Sequence, residues 1–210
     1  MSTLIVPQGA EERTVRRAAP NASLIAIRAG ASAAQLPERL PDGPLVIMGL
    51  CGALRGMRVG ARVIYRDVAD RSGRYSFDAE LIAALQAVLP DAALVHACTA
   101  GHVITRAGER AALAAAYAAD VVDMEGTHVA RALAGRGRPC AVVRVVSDEP
   151  GYDLPPIGAA FDPAGAIRPL HLALAFATHP GAAARFIRDV RTALTVLGGT
   201  ARTIAQTPLG

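Results

Sequence analysis

Short aliphatic and β-branched runs alternate with Ala- and Leu-rich stretches along most of this chain, and that alternation narrows the fold more than any other feature. The runs at residues 4–6, 24–27, 45–48, 62–65, 93–96, 121–122 and 141–146 are nearly free of charge and bounded by Gly, Pro, Asp or Asn. They are predicted strands. Continuous rather than alternating apolar character suits a sheet covered on both faces. Helices are predicted at residues 11–18, 33–39, 78–89, 108–118 and 125–134, where Ala, Leu, Arg and Glu favour the helical backbone. Gly135, Gly137 and Pro139 end the last of these. The expectation is a single α/β domain over residues 1–210, three-layer α/β/α with a central mixed, mostly parallel sheet.

Composition removes several classes of function. With 52% hydrophobic residues there is ample material for a core, but aromatics make up only 4% and Trp is absent. The net charge of +4 is carried by scattered arginines, with neither a basic stripe nor aromatic platforms, so no nucleic-acid partner is expected. Phosphate and an anionic lipid surface stay compatible with that charge. Cys51, Cys98 and Cys140 lack disulfide-framework or CxxC spacing and read as small buried hydrophobes. His96, His102, His128, His171 and His179 lack metal-ligand spacing, so no metal is expected. The N-terminus lacks a signal-peptide pattern and no apolar run reaches the roughly eighteen residues of a spanning helix; the expected location is the cytoplasm.

Late in the chain, residues 151–169 are rich in Pro and Gly and read as a long loop of the kind that often serves as a lid. A last helix is predicted over residues 182–197, with Phe186, Val190, Ala193, Leu194 and Leu197 on one face and Arg185, Arg188 and Arg191 largely on another. It reads as a surface helix docked on the sheet, with peripheral membrane contact as the alternative.

In open α/β sheets ligands gather at the carboxyl ends of strands. Three such ends carry polar residues: Gln8 to Glu12, Asp123-Met124-Glu125-Gly126, and Ser147-Asp148-Glu149-Pro150. Taken singly these are ambiguous, since Asp123 reads equally as a helix cap, Asp148 as a turn residue, and Glu11 and Glu12 as acidic residues at a helix start. Met48-Gly49-Leu50-Cys51-Gly52-Ala53-Leu54 reads as a glycine-bearing turn, neither a P-loop nor a GxGxxG fingerprint. No GxSxG elbow is present.

Read together, these blocks resemble a known family. Val122-Asp123-Met124-Glu125-Gly126, followed by Ala141-Val142-Val143-Arg144-Val145-Val146-Ser147-Asp148, is similar to the paired signature of the purine nucleoside phosphorylase/uridine phosphorylase superfamily, which includes methylthioadenosine/S-adenosylhomocysteine nucleosidases. Gly49 to Leu54, then Val59-Gly60, resembles another block of that family, and Thr99 to Thr105 its base-pocket strand and turn. Leu154-Pro155-Pro156, Phe161-Asp162-Pro163-Ala164-Gly165 and His179-Pro180-Gly181 resemble the hopanoid-associated phosphorylases within it, which are implicated in removing adenine from adenosylhopane.

The resemblance implies cleavage of the N-ribosyl bond of an adenosine with an apolar 5′ substituent, phosphate taking the ribosyl group. It implies that Asp148 is the general acid at purine N7, helped by partial burial that favours a retained proton. Glu125 would grip the ribose hydroxyls, Met124 would pack on the sugar, and the backbone around Val103 and Ile104 would frame the base. Glu12 resembles the glutamate that activates water in the nucleosidases, with Gly49, Leu50 and Ser147 beside the substrate and Arg144 in support. With so few aromatics, the base pocket would rely on aliphatic walls. The chain departs from the pattern at Leu50 and Ile47, where many relatives carry Ser and some phosphorylases Arg for phosphate; phosphate would then be held by backbone N–H groups or another arginine, with Arg28 and Arg66 as candidates. A nucleosidase using water, and a non-catalytic nucleoside-binding protein, are the alternatives. No cofactor is implied, and a homodimer or larger homo-oligomer is expected.

Overall fold

The computed structural model describes residues 2–160 and 168–209. Among them the strands are β1 (Thr3–Pro7), β2 (Ser23–Ile27), β3 (Leu45–Ala53), β4 (Arg62–Asp70), β5 (Gly73–Ser76), β6 (Ala93–Thr99), β7 (Val121–Asp123) and β8 (Cys140–Asp148). The α-helices are α1 (Ala10–Ala18), α2 (Ala79–Val88), α3 (Ala107–Tyr117), α4 (Gly126–Ala134), α5 (Pro169–Thr178) and α6 (Pro180–Gln206), with 3-10 turns at Gly30–Ala34 and Ile157–Ala160.

Every predicted strand is present, and the sheet is mixed and mostly parallel. Parallel pairs join β1 to β2, β1 to β3, β3 to β8, β4 to β6, and β6 to β7. Antiparallel pairs join β3 to β7, β4 to β5, and β4 to β8. The pairs β3–β8, β8–β4, β4–β6, β6–β7 and β7–β3 therefore close a ring.

The ring closes because β3 is long and bent. It runs between β1 and β8 until the register shifts between Cys51 and Gly52, and its last residues then pair Gly52 with Val122 and Ala53 with Val121. A bulge of this kind adds twist and redirects the strand. The segment from Met48 to Ala53 is thus strand rather than the expected turn.

Strand β8 lies at the centre and is buried at all nine positions, with Arg144 in its middle. Its apolar residues join Leu4, Ile5, Leu45, Ile47, Val63 and Ile64 in the main core. Each such side chain contributes roughly 1.5–3 kcal/mol by leaving water. A smaller cluster of Leu54, Cys98, Ala100, Ile104, Ala114, Ala119 and Val122 seats α3 over β6 and β7. All three cysteines are buried and unpaired.

Three segments differ from expectation. The helix predicted at 33–39 is only the 3-10 turn, since Pro37 lacks an N–H and disfavours helix at Leu36. The Leu36 and Pro37 carbonyls accept hydrogen bonds from Arg136 instead, and those of Pro41 and Gly43 just beyond accept from Arg138. Strand β5 forms a hairpin with β4 that the sequence reading omitted, tightened by the Ser72 N–H donating to Asp70 Oδ1 at 2.7 Å. Helix α6 runs through Gly198-Gly199 to Gln206, and a Cβ at Gly198 would press on Thr14 and Ala18 of α1. The glycine is therefore where two helices approach closely.

Candidate active site

The carboxyl ends of β1, β3, β7 and β8 and the loop after β6 meet around a cavity of about 780 Å³. Its position at strand ends is where open α/β folds place ligands. Leu50, Val103, Ile104, Met124, Glu125, Ser147 and Asp148 all line it, together with Arg28. Phe186 is the one phenyl ring among the described lining residues, so the walls are mainly aliphatic.

Asp148 ends β8 and is buried. Its Oδ1 lies 2.7 Å from the Ser147 hydroxyl, which is also 3.1 Å from the Cys51 carbonyl. Its Oδ2 forms an ion pair with the buried Arg110. Burial pushes the Asp148 carboxyl above the usual carboxylate range, against the opposing pull of Arg110. A carboxyl so placed can hold a proton that an exposed aspartate would lose.

Glu125 sits where β7 gives way to α4. Its Oε1 accepts the Gly30 N–H at 3.1 Å, and its Oε2 lies 3.4 Å from Arg144 Nη2. Burial raises its proton affinity, Arg144 lowers it and Asp123 raises it again. Asp123 itself caps α4, its Oδ1 accepting from Gly126 N–H at 3.0 Å and from the Thr99 hydroxyl at 2.8 Å. It also pairs with Arg144 at 3.3 Å. Burial opposes the charge on Arg144, but Asp123 and Glu125 outweigh it and hold the guanidinium protonated. Arg144 is thus a fully buried cation beneath the cavity floor.

The glutamate of α1 that lines the cavity is Glu11, not the expected Glu12. Glu12 turns outward and pairs with Arg16 at 2.9 Å, as expected for residues four apart on α1. Glu11 lines the cavity, and its Oε1 accepts the Leu50 N–H at 2.7 Å. Burial, then the charge of Glu125, pushes the Glu11 carboxyl up to about 7. Gly49 does not line the cavity. A Cβ there would fall within 3.0 Å of both Arg144 and Glu11, so its lack of a side chain leaves room for those two groups. Arg66 is exposed and away from the cavity, whereas Arg28 is exposed at its edge.

Sequence reasoning missed Arg110, whose place in the cavity depends on α3 packing over β6 and β7, from where the side chain reaches Asp148 at the end of β8. The choice between Glu11 and Glu12 depended on the phase of α1. The buried Val15 four residues after Glu11 was the available signal, because i and i+4 share a helix face. Residues 161–165, which carried part of the hopanoid likeness, lie outside the described residues. Among the described residues there is no cluster suited to a metal ion and no helix long and apolar enough to cross a membrane.

A closed sheet with buried carboxylates at its strand ends defines an α/β protein built around a small-molecule cavity. The family model of the Phosphorylase superfamily matches residues 31–156, and the chain belongs to that superfamily. A search of curated proteins finds no match. Solved structures agree in fold. The Campylobacter jejuni 5′-methylthioadenosine/S-adenosylhomocysteine nucleosidase superposes with a TM-score of 0.67 at 15% identity, over 96% of this chain and 99% of that one. A putative nucleosidase of the same kind from Borrelia burgdorferi, bound to adenine, gives 0.73 at 13% identity over 97% and 99%. A futalosine hydrolase mutant from Helicobacter pylori gives 0.63 at 13% identity over 95% and 98%.

Proposed function

We propose that this protein cleaves the N-ribosyl bond of a purine nucleoside carrying an apolar 5′ substituent, releasing the free base. The observation that carries the reading is the convergence of Glu11, Glu125 and Asp148, three carboxyls from three strand ends, on one cavity. Cleavage needs relief of charge at both ends of the bond. Asp148 gives its proton to N7 as the C1′–N9 bond breaks, so the base leaves neutral. Glu125 accepts hydrogen bonds from the ribose hydroxyls and its charge lies near the oxocarbenium-like sugar. Adenine is the favoured base by family resemblance, and the wall of Leu154, Ile157, Phe186 and Val190 suits an apolar 5′ group, of which adenosylhopane offers one example.

Water is the acceptor the geometry favours. Glu11 occupies the Leu50 amide, a donor that a phosphate anion would otherwise use, and its own charge repels an anion. With a proton affinity near neutrality, Glu11 can take the proton of a water that attacks C1′. Glu11 then releases that proton to solvent and Asp148 regains one, which closes the cycle. Phosphorolysis is the second reading, supported by Arg28, which lines the cavity edge and has no ion pair among the described residues.

The test is adenine release from methylthioadenosine and from a 5′-alkyl adenosine, each with and without phosphate. Release independent of phosphate is expected, with Asp148→Asn binding nucleoside but not cleaving it. Strict phosphate dependence would move the acceptor to the second reading. Wild-type turnover by Asp148→Asn would sink the assigned acid, and tight binding without release by the native protein would leave a nucleoside-binding protein.

A further inference from the structure

Arg110 is 1% exposed and stands at the base end of the cavity. Its Nη1 donates to the Ala53 carbonyl at 3.3 Å and the Glu149 carbonyl at 3.2 Å, and its Nη2 to the Ile104 carbonyl at 3.2 Å. These carbonyls belong to the end of β3, the segment after β8 and the loop after β6. The same guanidinium contacts Asp148 Oδ2. A buried arginine is costly unless paired, and here it ties three segments of backbone to one carboxyl.

We infer that Arg110 is a positioning residue that acts through Asp148: it aims the carboxyl at the base and sets the pH range over which that carboxyl carries its proton. The inference rests on the proposed role of Asp148 as the acid. A cation in contact favours the ionised carboxylate, whereas burial favours the protonated one. Arg110 therefore restrains a carboxyl that burial alone would keep protonated to higher pH.

The other groups facing Asp148 are Ser147 beside it on β8, Cys51 on β3, Tyr152 in the following segment and Asp189 on α6. None of these is a cation. Asp189 pushes in the direction opposite to Arg110. A further consequence is that a base entering the cavity meets a carboxyl already fixed by its partner, so little reorientation precedes proton transfer.

The test uses the full chain with Arg110→Gln, which keeps a side-chain amide for the carbonyls, and Arg110→Lys, which keeps a cation of shorter reach. Carbon-13 titration of the Asp148 carboxyl, assigned by its loss in Asp148→Asn, reads the effect without turnover. The midpoint is expected to rise in the order wild type, Lys variant, Gln variant. In kcat/KM, the ratio of the Gln variant to wild type is expected to climb with pH once wild-type Asp148 begins to lose its proton. That climb approaches about tenfold per pH unit before levelling, and the Lys profile stays closer to wild type.

A purely structural Arg110 would lower activity by the same factor at every pH, leaving this ratio flat. Midpoints unmoved in both variants would overturn the inference and leave Asp148 as the acid. Wild-type turnover by Asp148→Asn would instead remove the reading beneath it. If only the Lys variant folds, its midpoint alone decides.

Discussion

Glu11, Asp123 and Glu125 line one side of this cavity above the buried Arg144, and the proton affinities of Glu11 and Glu125 depend on the charges around them. Glu11 is the member most open to a pH measurement. It is held up to about 7 by burial and by Glu125, so near neutral pH it is partly protonated. If Glu11 accepts the proton of water, the productive form is the ionised one. The ratio of wild-type to Glu11→Gln kcat/KM should then rise as pH passes about 7 and level off above it, because kcat/KM reports the free enzyme. At the plateau the variant should be slower by roughly 10²–10⁴-fold, the usual worth of a positioned base. A ratio independent of pH would show that Glu11 is only a structural partner of the Leu50 amide. The same residue also has a stability signature. A carboxyl whose proton affinity is raised by folding adds stability below its unfolded value and loses it as pH rises through the folded value.

At the scale of elements, strands were legible and their consequences only partly so. Residues 141–146 announce a buried strand by unbroken apolar character, and β8 is buried throughout. What no local pattern reveals is that β3 bends at Cys51 and closes on β7, since closure is a long-range pairing. Asp148 and Glu125 were singled out by the paired blocks that resemble the superfamily's signature, since single strand-end carboxylates are ambiguous, and both line the cavity. Arg110 was not, because one arginine in an amphipathic helix reads as solvated. The helical pattern of 33–39 breaks at Pro37, whose ring removes an N–H and disfavours helix at Leu36. The segment after β8 was read as a lid, and its described part is pinned at several points. Leu154 N–H donates to the Thr105 carbonyl at 2.8 Å, Ala107 N–H to Asp153 Oδ1 at 2.7 Å, and Tyr152 Oη to Asp189 Oδ2 at 2.6 Å. Arg185 also lies 4.5 Å from the Tyr152 ring centroid. Removing the hydroxyl with Tyr152→Phe should cost about 1.5–3 kcal/mol of local stability, as for a hydrogen bond to a charged group. Amide exchange should quicken in residues 151–158, and KM should rise more than kcat falls. Unchanged exchange there would show that the other anchors suffice.

The cavity belongs to the whole molecule, because its walls come from both ends of the chain. Glu11 arrives from the first helix, the base end from β6 and β7, and the apolar end from Leu154 and Ile157 together with Phe186 and Val190 of α6. At about 780 Å³ it lies toward the upper part of the roughly 300–1,000 Å³ usual for ligand sites. That leaves room beyond base and ribose, and the room is apolar. If the apolar end receives the 5′ substituent, lengthening an n-alkyl chain on 5′-alkylthioadenosine should raise kcat/KM by about fourfold per methylene, since each buried methylene contributes ~0.8 kcal/mol. The rise should stop when the chain reaches solvent. Phe186→Ala should flatten the slope for the longer members while leaving methylthioadenosine little changed, because only the longer chains reach that wall. A flat series in the wild type would mean that the apolar end does not hold the 5′ group, and that the room serves a different part of the substrate. A slope retained in Phe186→Ala would place the chain along Leu154 and Ile157 instead, on the side of the cavity formed by the segment after β8.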